Sequence, residues 1–319
     1  MLESVESIAF VTFACRRDVN YAKALLGSIA HFYPINPIHV VLEADVKIAD
    51  REQLARFPNV TVHRVQDLIA QHKLSLTRLL AKLNVLFLPG VKRALVADAD
   101  SVLVDMVLDR VPDRALFVAF RSHQVKADDP SSMKAFSDWA IDLEQARRLG
   151  WRFRDGPMTY VGGSHFFVDV SRFPRHLVVD LLPHMGFGHD TVTPLRAGDQ
   201  GFWTYFANVY QAAPREELHF MDVSPDATVQ QSVKFPQARD LGWVQSRCGK
   251  EVSFVHYIGF SRRFRRRDHE FSEVLCWATR KYYEALGSPR EFVRDEIRRV
   301  CFASAGAAAR LARMTLRRG

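Results

Sequence analysis

Segments with the apolar pattern of strands alternate with segments with the apolar pattern of helices along the first 120 residues. This alternation restricts the fold more than any other feature of the sequence. Short β-rich runs are followed by stretches whose apolar residues recur at helical spacing. The predicted strands are IAFVTFA, PIHVVLEA, VTVHRV, RALVADAD and ALFVAF, and the predicted helices include NYAKALLGSIAHFY and LTRLLAKLNVLFLP. This order predicts an α/β fold with a single Rossmann-like, mostly parallel sheet flanked by helices. Such sheets bind ligands beyond the carboxyl ends of their strands.

The second half of the chain has a less regular pattern. Its predicted elements are a loop and helix in DDPSSMKAFSDWAIDLEQARRLG, one strand with a glycine pair in TYVGGSHFFVDV, and a helix that begins at Asp199 in GDQGFWTYFANVY. We expect them to extend the sheet and to form one side of a cleft. Because the sequence has no internal repeat and no Pro/Gly-rich linker, we predict one domain over residues 1–287 and a basic helical tail over residues 288–319.

Charge and cysteine content narrow the classes of protein. The 319 residues carry a formal charge of +8, much of it in SRRFRRRDHE and in the tail, and such clusters bind phosphate in nucleotides, nucleic acids or lipid headgroups. The four cysteines lie far apart without a CxxC pair, so the pattern predicts neither a structural zinc site nor a disulfide framework. With no apolar run of about 20 residues and an acidic N-terminus, we expect a cytoplasmic protein.

Two aspartates, Asp98 and Asp100, end the apolar strand RALVADAD. The period of two along a strand directs both side chains to one side of the chain. Two hard oxygen ligands at this spacing can hold Mg²⁺ or Mn²⁺ against a diphosphate. The alternative is a pair of solvated acids at a strand end, but the position of the pair, at the ligand-binding end of the fourth predicted strand, favours the metal site.

A second polar group lies in FVHYIGFSRRF, where His256 is followed by Gly259 and Arg262. A neutral imidazole could complete the ligand set of a metal, the glycine would let the backbone approach phosphate, and the arginine could neutralise a diphosphate. A lone histidine in an apolar strand is more often a core residue. Its combination with the two aspartates favours the metal-ligand interpretation.

Taken in order, VTFA, KLNVLFLPGVKRALVADADSVLV, VGGSHFFVDVSRF, GDQGFW and HYIGFSRRF resemble the motifs of glycosyltransferase family 8, over residues 7–265. This retaining family has the GT-A fold and includes glycogenin and bacterial lipopolysaccharide galactosyl- and glucosyltransferases. The resemblance implies a nucleotide-sugar donor, commonly a UDP-sugar, with Mn²⁺ or Mg²⁺, and a glycan or lipid-linked acceptor. The 1–287 segment would then be the catalytic domain, and no nucleic-acid partner is expected.

Roles for individual residues also follow from the resemblance. It assigns metal binding to Asp98, Asp100 and His256, with Asp98 also contacting ribose, and it places Asp199 and Gln200 near the reacting carbon. It implies donor contacts for the following residues: Thr12, Ala14, Asp18 and Tyr21 on the nucleoside side, Lys82 beside the sugar and phosphates, Gly162 and Gly163 at the sugar pocket, and Gly259 and Arg262 at the diphosphate.

The distal motif of the family normally reads HxxGxxKPW, whereas this chain has Arg262, Arg263 and Phe264 in the last three places. Arginine can still neutralise phosphate, and it does so through two parallel hydrogen bonds. The chain is therefore identified as a divergent member.

Two other functions remain open from the residues. A sugar-nucleotide nucleotidyltransferase has a similar sheet and metal, but its first strand is normally followed by a Gly-rich loop, and FACRRDVNYAK has no glycine. A non-catalytic protein that binds nucleic acid or lipid would explain the basic clusters, but it has no need of the DxD, GDQ and HxxG motifs together. The tail alternates apolar residues and arginines, which predicts either attachment to an anionic membrane or packing on the catalytic domain.

Overall fold

The computed structural model describes residues 7–186, 193–223, 252–257 and 272–294. Its strands are β1 (Ala9–Ala14), β2 (Ile38–Leu42), β3 (Val60–Arg64), β4 (Arg93–Asp98), β5 (Ser101–Leu103), β6 (Phe117–Ala119), β7 (Ser122–Gln124), β8 (Thr159–Val161), β9 (His165–Asp169), β10 (Leu218–Phe220) and β11 (Phe254–His256). Its helices are α1 (Val19–Phe32), α2 (Ile48–Ala55), α3 (Val65–His72), α4 (Pro130–Trp139), α5 (Leu143–Arg148), α6 (His176–Leu181), α7 (Asp199–Asn208) and α8 (Ser272–Ala285). Short 3₁₀ segments cover Arg78–Phe87, Val107–Arg110, Leu182–His184 and Arg215–Glu217.

Seven strands form the central sheet in the order β10-β6-β9-β4-β1-β2-β3. The pairs β1–β2, β2–β3, β1–β4 and β6–β10 are parallel, and β9 runs antiparallel to both β4 and β6. The carboxyl ends of β1 and β4 therefore meet at one edge of the sheet, with Phe13 beside Asp98. The predicted α/β class and mostly parallel sheet are confirmed.

Alternate residues of the central strands pack into cores on opposite faces of the sheet. In β4, Ala94 and Val96 contribute to one buried cluster, while Leu95 and Ala97 contribute to the other. This is why the four central residues of β4, ALVA, form a continuous apolar run, since a strand covered on both faces has no polar side. A third cluster joins α1, β5, β11 and α8.

Helix α8 packs so closely on α1 that Gly27 has no room for a side chain. A Cβ added there would lie 2.1 Å from the carbonyl oxygen of Ala278 and 2.4 Å from the backbone nitrogen of Tyr282, both in α8. The ring of Tyr282 also stacks on Phe57, with 4.8 Å between the centroids. The last described helix of the domain is therefore fixed to the first.

Two predicted elements differ from the structure. The segment predicted as a helix in LTRLLAKLNVLFLP forms the 3₁₀ segment Arg78–Phe87 instead. The single strand predicted in TYVGGSHFFVDV is two strands: β8 pairs with β7 in a small sheet, and β9 joins the central sheet. The chain turns between them at Gly162 and Gly163, so the glycine pair separates two sheets.

The predicted tail lies mostly outside the described residues. Residues 289–294 are helical, and residues 295–319 are not described. Within the described parts of the chain, none of the helices combines the length and apolarity needed to cross a membrane.

Candidate functional site

Three side chains that could hold a metal ion lie together beyond the carboxyl end of β4. Asp98 is the last residue of β4, and Asp100 follows in the turn that leads directly into β5. Strand β5 pairs antiparallel with β11, which puts His256 opposite Ser101. The backbone nitrogen of Tyr257 also donates to the carbonyl of Asp100 at 2.7 Å. This small two-stranded sheet therefore brings a histidine from late in the chain to the DxD pair.

The spacing of these three residues suits a hard divalent cation. His256 Nε2 lies 3.3 Å from Asp98 Oδ2 and 3.3 Å from Asp100 Oδ1. One ligand atom from each residue can be chosen so that all lie within 4.8 Å of one another. Neighbouring ligands of an octahedral Mg²⁺ at about 2.1 Å lie about 3 Å apart, and two carboxylates with an imidazole suit Mg²⁺ or Mn²⁺. Small adjustments of these side chains would make a three-ligand site.

A lysine joins this site to a second buried carboxylate. Lys82, from the 3₁₀ segment Arg78–Phe87, has its Nζ 2.5 Å from Asp98 Oδ1 and 3.6 Å from Asp199 Oδ2. The same Nζ donates to the carbonyl of Gly163 at 2.8 Å. Burial alone would lower the pKa of Lys82, but the carboxylates of Asp199 and Asp98 outweigh it and hold that pKa above its ordinary value. Lys82 is therefore a fixed cation in the site.

The two carboxylates respond differently to this lysine. Burial would raise the pKa of Asp98, but Lys82 and His256 outweigh burial and hold the pKa well below its usual range. For Asp199, burial outweighs Lys82 and raises the pKa to about 6. Asp98 thus remains an anion at neutral pH, while Asp199 titrates close to it.

A strained turn aims Asp199 into the site. Helix α7 begins at Asp199, as predicted, and Gly198 before it has φ 62° and ψ −117°, a conformation that requires glycine. Asp199 is 4% exposed. A Cβ added to Gly163 would lie 2.5 Å from Asp199 Oδ2 and 3.3 Å from the Cγ of Gln200. Gln200 accepts a hydrogen bond from the hydroxyl of Tyr160 at 3.2 Å. Gly163, Asp199 and Gln200 therefore form one compact group.

A cavity of about 600 Å³ opens beside this group, at the carboxyl end of β1. Its walls include Ala14, Asp18, Glu43, Asp45, Arg78 and Lys82. The structure thus brings Ala14, Asp18 and Lys82, three of the predicted donor contacts, to one cavity. Burial raises the pKa of Asp18, whose carboxylate accepts from the Cys15 thiol at 2.9 Å.

Other predicted donor contacts lie elsewhere or outside the described residues. Thr12 is 1% exposed, and Tyr21 is fully buried with its ring centroid 6.0 Å from that of Tyr257. Tyr21 belongs to the buried cluster that joins α1, β5, β11 and α8, and neither residue lines the cavity. Gly259 and Arg262 lie outside the described residues.

Sequence reasoning missed two polar residues that contact this site. Arg121 Nη1 lies 3.0 Å from His256 Nδ1. His165 is fully buried, with Nε2 2.7 Å from Ser101 Oγ and its ring perpendicular to His256 at 5.2 Å. Burial holds the pKa of His165 well below its ordinary value. Arg121 was recognisable in principle, because it follows the predicted strand ALFVAF at the ligand-binding end of the sheet, whereas His165 looks like any core position.

Comparison with solved structures identifies the architecture. The apo structure of the bifunctional glycosyltransferase WbbM matches 92% of this chain and 52% of its own, with 14% identity and a TM-score of 0.56. The glycosyltransferase GlyE of Streptococcus pneumoniae TIGR4 matches 91% of this chain and 64% of its own, with 11% identity and a TM-score of 0.50. The chain has the GT-A fold. It spans about half the length of WbbM and under two thirds of GlyE. Scans of protein-family models and of curated proteins found no match.

Proposed function

We propose that the chain is a metal-dependent glycosyltransferase, a divergent relative of family 8, which moves a sugar from a nucleotide-sugar to a glycan or glycolipid acceptor. One observation carries this proposal. On a GT-A sheet, Lys82 links the Asp98 carboxylate of the candidate cation site to the buried Asp199. Metal ligands, a cation and a second carboxylate thus surround one point beside a cavity large enough for a nucleoside.

The chief electrostatic demand of glycosyl transfer is the negative charge that develops on the departing nucleoside diphosphate. A divalent cation held by Asp98, Asp100 and His256 would supply Lewis-acid stabilisation of that charge. Lys82 is a permanent cation on the same side, and Arg262 is proposed to contribute a second. With the leaving group stabilised in this way, no strong protein acid is required.

The sugar ring is proposed to lie over Gly162 and Gly163, with its reacting carbon near Asp199 and Gln200. A carboxylate there would stabilise the positive charge that the sugar carbon acquires as the bond to phosphate breaks. The Tyr160 hydroxyl donates a hydrogen bond to Oε1 of Gln200, so the NH₂ group of that side chain can act as a donor to the substrate. For a retaining reaction, the acceptor hydroxyl attacks from the face of the leaving phosphate, which accepts its proton.

The nucleoside is proposed to occupy the cavity lined by Ala14 and Asp18, beside Thr12 and Tyr21. UDP is the proposed carrier, as implied by the resemblance to family 8, with Mn²⁺ or Mg²⁺ as the cation. The Asp18 carboxylate could accept an N–H of the base or a ribose hydroxyl.

The experiment that tests the function is a panel of nucleotide-sugars with Mn²⁺, scored by thermal stabilisation and by slow hydrolysis without acceptor. We expect one donor to raise the melting temperature, and the effect to vanish in Asp98→Asn and Asp100→Asn. Asp113→Asn is the matched control, because Asp113 is an exposed carboxylate in the loop before β6. Failure of the whole panel to stabilise or turn over with the wild type would refute the proposed activity.

The C-terminal tail is proposed to hold the enzyme at an anionic membrane surface, as in lipopolysaccharide or surface-polysaccharide synthesis with a lipid-linked acceptor. Its arginines would each contribute about 1 kcal/mol of attraction. Flotation of the full chain with phosphatidylglycerol vesicles should succeed at low salt and fail at high salt, because screening removes the attraction. Equal flotation with neutral phosphatidylcholine vesicles, or none with either, would contradict the membrane role.

A further inference from the structure

Arg121 reaches into the candidate metal site from the end of β6. Its backbone is fixed, because its carbonyl accepts from Gly162 N at 2.9 Å and the residue forms a bridge with Asp222. Its aliphatic stem crosses Gly162, where an added Cβ would lie 3.1 Å from Cδ and 3.2 Å from Cγ of the arginine. The guanidinium ends 3.0 Å from His256 Nδ1. Arg121 therefore lies between the proposed sugar pocket and the proposed metal ligand.

This contact determines which imidazole nitrogen carries the proton. A guanidinium has only donors, so Arg121 must donate and His256 Nδ1 must accept through its lone pair. The proton of the neutral ring is then on Nε2. That nitrogen faces Asp98 Oδ2 and Asp100 Oδ1, at 3.3 Å from each, and carboxylates are acceptors. The hydrogen bonds around the ring thus fit the tautomer that is protonated on Nε2 and unprotonated on Nδ1.

A cation bound by His256 needs the opposite arrangement. Nε2 is the nitrogen that faces the two aspartates, so it would have to offer its lone pair to the metal. The proton of a neutral imidazole would then lie on Nδ1, and histidine ligands almost always donate that proton to a carboxylate, a carbonyl or water. A guanidinium at 3.0 Å cannot accept it. The ligand spacing fits a metal, but the contact with Arg121 does not.

We propose that Arg121 and the divalent cation are alternative partners of His256. Loading the cation moves the ring proton from Nε2 to Nδ1, with no net gain or loss of protons, and displaces the Arg121 guanidinium from the ring. The displaced group stays tethered beside Gly162, because its aliphatic stem crosses that residue. This inference rests on the part of the proposed function that makes His256 a metal ligand.

The direct test is ¹⁵N NMR of the full chain labelled at its histidines, with Mg²⁺ alone as the probe because it is diamagnetic. His256→Gln assigns the His256 signals among the 12 histidines. We expect Nε2–H in the metal-free wild type and Nδ1–H once calorimetry shows Mg²⁺ bound. Retention of Nε2–H in the Mg²⁺-bound protein would overturn the proposal, as would Nδ1–H before Mg²⁺ is added.

A variant gives an independent measurement. Arg121→Met keeps an aliphatic side chain over Gly162 and removes the hydrogen-bond donor. The affinity for Mg²⁺ should then rise by about tenfold or more, because a charge-assisted hydrogen bond no longer has to be broken before the cation binds. Arg93→Met is the matched control, because Arg93 lies at the other end of β4, over the Phe167 ring. The gain should persist at high salt, which screens a simple charge effect.

The outcomes separate this inference from the proposed activity. The exchange of Arg121 for the cation is overturned if Arg121→Met binds Mg²⁺ no more tightly than the wild type, or if its gain in affinity disappears at high salt. The absence of Mg²⁺ binding in both proteins also overturns it. None of these measurements involves a sugar. A wild type that shows the proton shift but turns over no nucleotide-sugar would retain the exchange and lose the glycosyltransferase assignment.

Discussion

Replacing Gly163 by alanine would place one methyl group against the buried Asp199. The new carbon would lie 2.5 Å from Asp199 Oδ2 and 3.1 Å from its Cγ, whereas ordinary contact begins at 3.4 Å. The carboxylate must therefore shift by about 0.9 Å, at a point where Lys82 is fixed by its hydrogen bond to the carbonyl of residue 163. Overpacking of this kind costs about 1–3 kcal/mol, and a displacement near 1 Å at a reacting centre can lower a rate about 10²-fold.

The matched control is Gly162→Ala, one residue earlier in the same turn. Its Cβ would meet the Cγ and Cδ of Arg121, at 3.2 and 3.1 Å, and a flexible side chain can give by these few tenths of an ångström. Urea unfolding measures the stability of both variants, and hydrolysis of the donor that stabilises the wild type measures turnover. We expect Gly163→Ala to lose turnover far in excess of its loss of stability, and Gly162→Ala, which meets only a flexible side chain, to lose little stability.

A Gly163→Ala protein with wild-type turnover and stability would show that Asp199 does not depend on the space that the glycine leaves. Equal losses of stability in the two variants would also contradict this dependence. That result would mean that the turn tolerates no side chain at either position, for reasons unrelated to the carboxylate.

Two further predictions concern stability. The pKa of Asp199 is about 6, against an ordinary 3.8, so the native protein binds more protons between about pH 4 and 6 and this group's contribution to the unfolding free energy falls as pH rises. The unfolding free energy of Asp199→Asn relative to wild type, measured in urea with chelator, should therefore rise by about 2 kcal/mol over that range, and a pH-independent difference would count against it. Gly27→Ala should cost about 3 kcal/mol or more because its Cβ meets backbone atoms of α8, whereas Gly90→Ala, with φ 78° in open space, should cost about 1 kcal/mol. Similar urea midpoints for the two would contradict the close packing of α1 on α8.

The parts of the fold that could be predicted are those in which the local pattern and the tertiary role agree. Between Arg93 and Asp98, the four residues ALVA are all apolar, so a strand buried on both faces is the natural interpretation, and the structure has one. The helix at Asp199 was predictable from the acidic residue at its start and the apolar residues that follow. In both cases a segment of about a dozen residues is enough to predict the type and position of the element.

The features that were not predictable depend on tertiary packing. LTRLLAKLNVLFLP has helical periodicity, yet the segment forms a 3₁₀ turn series entered at Arg78 with φ 52°. In this conformation the segment places Lys82 next to Asp98 and Asp199, which are distant in sequence. These tertiary contacts override the local preference for an α-helix. The strand predicted across Gly162 and Gly163 failed similarly, because no periodicity distinguishes one strand from two strands of different sheets.

The site was predictable in its residue types and less so in its contacts. Asp98, Asp100 and His256 were grouped from their chemistry, and the structure brings them together through the β5–β11 pair, which no local pattern predicts. Arg121 was missed because one arginine after a strand gives no signal of the distant histidine it contacts. Its contact with His256 Nδ1 is a property of the folded arrangement alone.

Asp98, Asp100 and His256 are proposed to hold a divalent cation that drives cleavage of a nucleotide-sugar. The most direct measurement is the rate at which the wild type releases nucleoside diphosphate from its stabilising donor, with Mn²⁺ and then with excess chelator, beside Asp100→Asn in Mn²⁺. We predict release that requires Mn²⁺ and that is lost both in chelator and in the variant. Release that continues unchanged in chelator, or at the wild-type rate in Asp100→Asn, would contradict the claim.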